Sequence, residues 1–347
     1  MTTARGQRRS AAIEIESLSK VFRRRSGDEI AAVQKLDLAV EAGQVFGFLG
    51  SNGAGKTTTL KMACGLVIPT TGTIRLNGYD LPTARSRAMQ QIGAVLEGTR
   101  NVYWRMNAWQ NLLYFGRIKG VSSSRWLKAR AEELLRELDL WERRKDPVGE
   151  YSRGMQQKVA IAAALIADPP IVLLDEPTLG LDVQASRTVQ EWITRLAKER
   201  GKTVVLTTHQ LDMAENLCDR VAIMSRGRLL THRPTGELLD LFRREFYQLR
   251  LRGTVPAEKI EAFPGFVACQ ENGHTVLSGE MGAEHSVFDL VERVRQAGLE
   301  LISVSPSEPN LEEVFIELVE RSERAPAPAD AKEPQAGKAR ATDETPG

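Results

Sequence analysis

Residues 50–57 read Gly50-Ser51-Asn52-Gly53-Ala54-Gly55-Lys56-Thr57. The spacing of Gly50, Gly55, Lys56 and Thr57 fits the phosphate-loop pattern. Gln44–Leu49 ahead of it is apolar and β-prone and reads as a buried strand; Thr58–Cys64 behind it reads as a helix. Strand, loop and helix are the setting the motif requires. Gly50, Gly53 and Gly55 give the backbone φ angles that other residues resist and let it approach a ligand. Successive N–H groups from Ser51, Asn52, Ala54 and Thr58 and the helix N-terminus then face an anion. Lys56 is placed to reach β- and γ-phosphates, and the Thr57 hydroxyl to hold Mg²⁺.

The chain around this loop has 347 residues, enough for one large and one small domain. It is 42% apolar and 27% charged, an ordinary soluble globular composition. A net charge of +2 gives no field that argues for nucleic acid. Cys64, Cys218 and Cys269 are odd in number and far apart, which suggests reduced thiols in a cytoplasm. The longest apolar run, Val159–Ala167, is too short to span a bilayer. The basic stretch Met1–Ser10 has no apolar core after it and does not read as a secretory signal. Action at a membrane would therefore need a partner that supplies the membrane part.

Toward the N-terminus, residues 1–12 read as a disordered tail. Ile13 and Ile15 then alternate with Glu14 and Glu16 as in a half-buried strand. Phe22 follows; position alone leaves adenine stacking and sheet packing open for it. A charged turn, Arg23–Glu29, leads to a strand around Ala32–Val40. Beyond the loop helix, Thr73–Leu76 is a strand, Asn77-Gly78 a hairpin turn, and Ile92–Leu96 a short strand ending at Glu97. Asn101–Phe115 crowds together Tyr103, Trp104, Trp109, Tyr114 and Phe115. With the helical pattern of Trp126–Leu140 and a helix opened by Tyr151-Ser152-Arg153-Gly154-Met155, the stretch 98–165 reads as a helical insertion between strands. Ile171–Leu174 is continuously apolar, as in a parallel sheet buried on both faces. A helix (Val183–Arg200), a strand (Thr203–Thr207), His209, a helix (Leu211–Cys218) and a strand (Val221–Met224) follow, an α/β alternation that closes a domain spanning 13–243.

Residues 244–320 read as a small α+β domain. Phe246–Leu251, Thr275–Leu277 and Leu301–Val304 are its strands, and Ser286–Ala297 is a helix. Asn310 with Glu313 forms a capping box ahead of an apolar stripe, Leu311, Val314, Phe315, Leu318 and Val319. Residues 321–347, rich in alanine, proline and balanced charge, read as a disordered tail.

The apolar strand ends in Asp175 and Glu176, the natural second half of a phosphate-loop site. Asp175 would hold Mg²⁺, and Glu176 would orient or deprotonate the attacking water. Ser152, with the helix N-terminus behind it, could bind a second anion, although from this segment alone an ordinary N-cap is the stronger reading. His209 lies beyond the next strand and points to the same end of the sheet.

Together these motifs resemble the nucleotide-binding subunits of ABC transporters. Gly50–Thr57 matches the phosphate loop in full, Ile171–Glu176 with Pro177-Thr178 the second motif, Gly180-Leu181-Asp182 the loop after it, and His209 the switch histidine. Tyr151–Met155 stands where that family has Leu-Ser-Gly-Gly-Gln. The resemblance covers about Ile13–Thr235 and implies a P-loop NTPase cassette with a helical insertion, binding ATP and Mg²⁺. It implies a head-to-tail dimer with ATP between the phosphate loop of one subunit and Ser152, Arg153, Gly154 and Met155 of the other. Phe22 resembles the adenine-stacking aromatic, Asp182 would signal across the interface, and Glu176 and His209 would act with Lys56 in hydrolysis. Two departures stand out: Glu97 replaces the usual glutamine, which contacts the metal, and Arg153 and Met155 alter the signature. One cassette, no spans and a small C-terminal domain look most like the ATPases of type-2 exporters, whose cargoes include drugs, lipids and polysaccharides. That implies an integral membrane permease as partner, a homodimer of cassettes, and a peripheral place on the cytoplasmic face of the membrane. A cassette acting on ribosomes or DNA is the alternative; such relatives usually carry two cassettes and a basic linker, or a long coiled coil within the cassette. A kinase reading lacks a domain for an acceptor substrate.

Overall fold

The computed structural model describes residues 11–24, 27–98, 101–243, 246–280, 287–306 and 310–324. Ala11–Arg23 (β1) and Glu29–Glu41 (β2) form an antiparallel hairpin in which Ile13 faces Val40 and Phe22 faces Ile30. Val45–Leu49 (β3) is buried throughout and feeds the phosphate loop and Lys56–Ala63 (α1). Thr71–Leu76 (β4) reverses into Tyr79–Asp80 (β5) through Asn77 and Gly78, at φ 46° and 78°. Both central residues of this two-residue turn need positive φ, which is why the pair is Asn-Gly. Arg85–Gln90 (α2) and Ile92–Val95 (β6) follow.

The helical insertion consists of Ala108–Ile118 (α3), Ser124–Glu137 (α4) and Arg153–Leu165 (α5). Each starts on a side chain that accepts from a first-turn N–H: Asn107, in a full capping box with Gln110, then Ser123, then Ser152. The chain continues through Ile171–Asp175 (β7), Val183–Lys198 (α6), Thr203–Thr208 (β8), Leu211–Leu217 (α7), Arg220–Ser225 (β9), Arg228–Pro234 (β10) and Thr235–Arg243 (α8).

Two sheets result. The main one runs β10-β9-β3-β8-β7-β6, parallel from β9 to β6 with β10 antiparallel on the edge. The other is antiparallel, β2-β1-β4-β5. Hydrophobic pattern separates them. β3, β7 and β8 are buried along their whole length because both faces are covered, whereas β1 and β2 alternate and keep one face toward water. Val45, Leu49, Val172, Leu174, Val204 and Leu206 enter the core shared with the insertion helices and α6. Phe46, Phe48, Ile171, Leu173 and Val205, on the opposite face, enter the core shared with α1 and the antiparallel sheet. Burial pushes the Cys64 and Cys218 thiols well above the usual range, so both stay protonated.

The remaining elements are Phe246–Leu251 (β11), Ala257–Ile260 (α9), Phe266–Glu271 (β12), His274–Glu280 (β13), Val287–Gln296 (α10), Leu301–Pro306 (β14) and Leu311–Arg324 (α11). The strands make an antiparallel sheet, β12-β13-β11-β14, whose core of Leu249, Leu251, Phe263 and Leu277 is closed by Leu290 and Val294 of α10. Asn310 caps α11 by accepting from the Glu313 N–H at 2.9 Å. The stripe on α11, however, does not close this small core. Leu311 and Val314, fully buried, belong to the cassette core, and Phe315 and Leu318 pack against it. Spacing shows that a helix buries one face; it does not show against what.

The expected tails, residues 1–12 and 321–347, are shorter at both inner ends. Ala11 and Ala12 belong to β1, and α11 runs to Arg324. The rest of both tails lies outside the described residues. No helix among the described residues is long and apolar enough to cross a membrane.

Candidate nucleotide site

The phosphate loop joins the carboxyl end of β3 to α1. A Cβ on Gly50 would lie 2.4 Å from the Met224 carbonyl oxygen, and one on Gly55 2.5 Å from that of Ala32. With φ at 156° and 104°, both positions exclude side chains twice over. Lys56 is 6% exposed and donates to the carbonyls of Gly50 at 2.5 Å and Ser51 at 3.2 Å. Burial lowers its pKa, opposed by the charges of Glu176, Asp175 and Glu97, so three carboxylates help keep this ammonium charged. A cleft of about 970 Å³ opens over the loop, lined by residues 52–58 together with Glu97, Glu176 and His209.

Asp175 is 2% exposed. Its Oδ1 accepts from the hydroxyls of Thr57 at 2.9 Å and Thr207 at 2.5 Å, and its Oδ2 from the Glu97 N–H at 3.3 Å. The donor set suits Mg²⁺: a hydroxyl and a carboxylate, hard oxygens, side by side next to the phosphate loop. Among the described residues no group of three or more His, Cys, Asp or Glu could hold a metal by itself. That agrees with a site in which a phosphate and water complete the shell.

Glu176 is positioned by strain. Its φ is 48°, and its N–H donates to both the carbonyl and the hydroxyl of Thr207 at 3.1 Å. Its Oε1 then lies 2.9 Å from His209 Nδ1. The structure thus gathers Lys56, Thr57, Asp175, Glu176, His209 and Glu97 at one end of the sheet.

The signature segment does not line this cleft. Ser152 accepts from the Met155 N–H at 3.3 Å as the α5 cap. Gly154 lets α5 pass α6: a Cβ there would meet that of Ala185 at 2.7 Å. Arg153 enters a second cleft, of about 400 Å³, with Glu97, Asp175 and Glu176, and its guanidinium lies 3.4 Å from where a Cβ on Gly180 would stand. Asp182 caps α6, accepting from the Ala185 N–H at 2.8 Å. Phe22 is 40% exposed, with the Lys20 ammonium 5.0 Å above its ring, and stands outside the cleft lining.

Sequence reasoning missed Thr207, Gln210 and Gln157, and gave Thr178 no role beyond its place in the second motif. Thr207 donates to the Asp175 carboxylate and accepts from the Glu176 N–H; Thr178 donates to Gln210 Oε1 at 2.9 Å and to Met213 Sδ; Gln157 of α5 donates to the Pro177 carbonyl at 3.1 Å. The available signal was polar residues ending a buried strand, in Thr207-Thr208. Gln210 and Gln157 carried no pattern of their own.

Residues 33–179 match the family described as ABC transporter. The ABC transporter ATP-binding protein NatA of Bacillus subtilis is 41% identical over 58% of this chain and 81% of its own. The daunorubicin/doxorubicin resistance ATP-binding protein DrrA of Streptomyces peucetius is 34% identical over 88% of this chain and 92% of its own. The chain belongs to the ABC transporter ATP-binding proteins. A Nod factor export ATP-binding protein of Burkholderia lata is 36% identical over 90% of this ABC protein and 98% of its own length. Among solved structures, an ATP-binding subunit of an ABC transporter superposes with a TM-score of 0.59 at 30% identity, over 67% of this chain and 93% of that one. A dimeric cassette bound to ADP and Pi does so at 0.59 and 27%, over 64% and 98%. Residues 246–305 of this ABC protein match a family described as a domain of unknown function. The ABC ATPase binds and hydrolyses ATP to drive a membrane transporter.

Proposed function

We propose that the chain is the ATPase subunit of a type-2 exporter, working as a head-to-tail homodimer beneath a separate membrane permease, on the cytoplasmic face. The supporting observation is that the likeness to export ATP-binding proteins runs through the accessory domain, over 92% and 98% of two relatives named for resistance and export. A hydrophobic drug, a lipid or an oligosaccharide is the cargo class. Co-expression with the membrane protein encoded beside it, co-purification, and ATPase assays with candidate cargoes test this. Failure to recover any membrane protein, with association to ribosomes instead, would overturn it.

In this reading the phosphate-loop N–H groups and Lys56 grip the β- and γ-phosphates. Thr57 and Asp175 would hold Mg²⁺, with Glu97 beside it, and the ion would supply charge neutralisation at the phosphates. Glu176 takes a proton from the attacking water through the oxygen not turned to His209, and His209 fixes that carboxylate and the γ-phosphate side of the site. Ser152, Arg153, Gly154 and Met155 of the facing subunit close over the triphosphate, Asp182 meets the same interface, and Phe22 carries the adenine. Tyr103, Trp104 and Tyr114, all exposed, offer the permease its docking surface.

A further inference from the structure

α11 follows the accessory sheet in sequence but is anchored elsewhere. It lies against α7, α8 and β10, with Leu311 and Val314 fully buried in the cassette core that also holds Met213 and Ala214 of α7 and Leu238 of α8. At its start the Leu311 N–H, one of the helix's unpaired donors, donates to Oε2 of Glu215 at 2.8 Å. Glu215 is a residue of α7. A carboxylate at a helix N-terminus is favoured by the helix dipole as well as by the hydrogen bond.

α7 has seven residues, too few to hold a helical orientation without tertiary contacts. His209 stands two positions ahead of it. Its front is tied by the Thr178 hydroxyl, which reaches Gln210 and Met213 from the loop that follows Glu176. Its rear is tied by Glu215 to α11. Both ties follow His209 directly and fix the helix next to it, with His209 2.9 Å from Glu176.

We propose that α11 is a strap that positions α7, and through it His209 against Glu176, so that Glu215 is a positioning residue for ATP hydrolysis. The proposal deepens the reading above and rests on its assignment of Glu176 and His209 to the chemistry. It gives the C-terminal region a role inside the cassette: whatever moves the small domain pulls on the helix behind the switch histidine.

The test is steady-state ATPase kinetics on the full chain. Glu215→Ala removes the acceptor, and kcat falls by about tenfold while KM for ATP stays within about twofold, because the phosphate loop is untouched. Glu215→Gln keeps an oxygen acceptor and restores most of the loss. Val314→Asp unseats the strap from its other side and lowers kcat in the same direction, with nucleotide binding followed separately by a fluorescent ATP analogue. Combined with His209→Ala, Glu215→Ala adds no further loss, because both act through one group. Unchanged kcat in Glu215→Ala, losses that add to those of His209→Ala, or a rise in KM parallel to a falling melting temperature would each overturn the strap. Full activity in His209→Ala alone would instead remove the assignment on which it rests, and is read without Glu215.

Discussion

Glu176 occupies backbone space that residues with a Cβ avoid, at a cost on the order of 1 kcal/mol or more, and Thr207 holds it there with two acceptors for one N–H. The strain turns the carboxylate off the line of β7, toward the cleft and His209. Glu176→Gln is expected to keep ATP binding and to lower turnover by about 10²–10⁴-fold, the range for a lost general base. Hydrolysis at the wild-type rate in that variant would remove Glu176 from the chemistry. Lys56→Ala is expected to fail earlier, in nucleotide affinity, which equilibrium binding reads directly.

Glu97, unlike Glu176, departs from the family pattern. Its N–H donates to Asp175, and it lines both clefts, within the field of Lys56. A carboxylate there adds a hard oxygen for Mg²⁺ and negative charge near the γ-phosphate, which the Arg153 of a facing subunit would offset. Glu97→Gln is expected to move the Mg²⁺ concentration for half-maximal ATPase upward, and Glu97→Ala to separate hydrolysis from transport. Mg²⁺ titrations that superpose on the wild type in both variants would make Glu97 a bystander.

At the level of elements, the aromatic residues of 101–115 divide by burial. Trp109 packs edge-on against Trp141, at 5.9 Å between rings, beside the insertion core. Trp104 is 46% exposed. Trp109→Ala is expected to cost about 2–4 kcal/mol of stability, somewhat under the usual value for a fully buried Trp. Trp104→Ala is expected to leave the melting temperature unchanged and to weaken recruitment to membranes containing the permease. Membrane flotation assays with both variants, beside melting curves, separate the two. Composition could not make this division, because aromatic residues serve cores and interfaces alike.

Across the whole molecule, what was legible followed local pattern. The phosphate loop, the two carboxylates ending an apolar strand and the Asn77-Gly78 reversal are short-range signals, and each stands where the spacing placed it. Gly154 was read as part of a signature, and its packing reason, the approach of Ala185, appears only once α5 and α6 cross. Thr207 and Glu215 act through partners 31 or more positions away, so no window of sequence contained them.

The same limit governs how the chain divides. Pattern put the boundary near Arg244 and gave residues 244–320 to a separate unit, yet Leu311 and Val314 complete the cassette core. Ending the chain after Arg243 would therefore remove two buried aliphatic side chains from beneath α7 and α8, at about 1.5–3 kcal/mol each, and bare the apolar surface they cover. The truncated cassette is expected to melt at a lower temperature than the full chain. It should nonetheless bind ATP, because α1 and the other face of the sheet, with Phe46, Phe48, Leu173 and Val205, draw on the opposite core, in which α11 has no part. Calorimetry and equilibrium nucleotide binding on the two proteins check this together. A truncated protein that folds but binds no ATP would show that the C-terminal region shapes the nucleotide site itself rather than the helix behind its histidine.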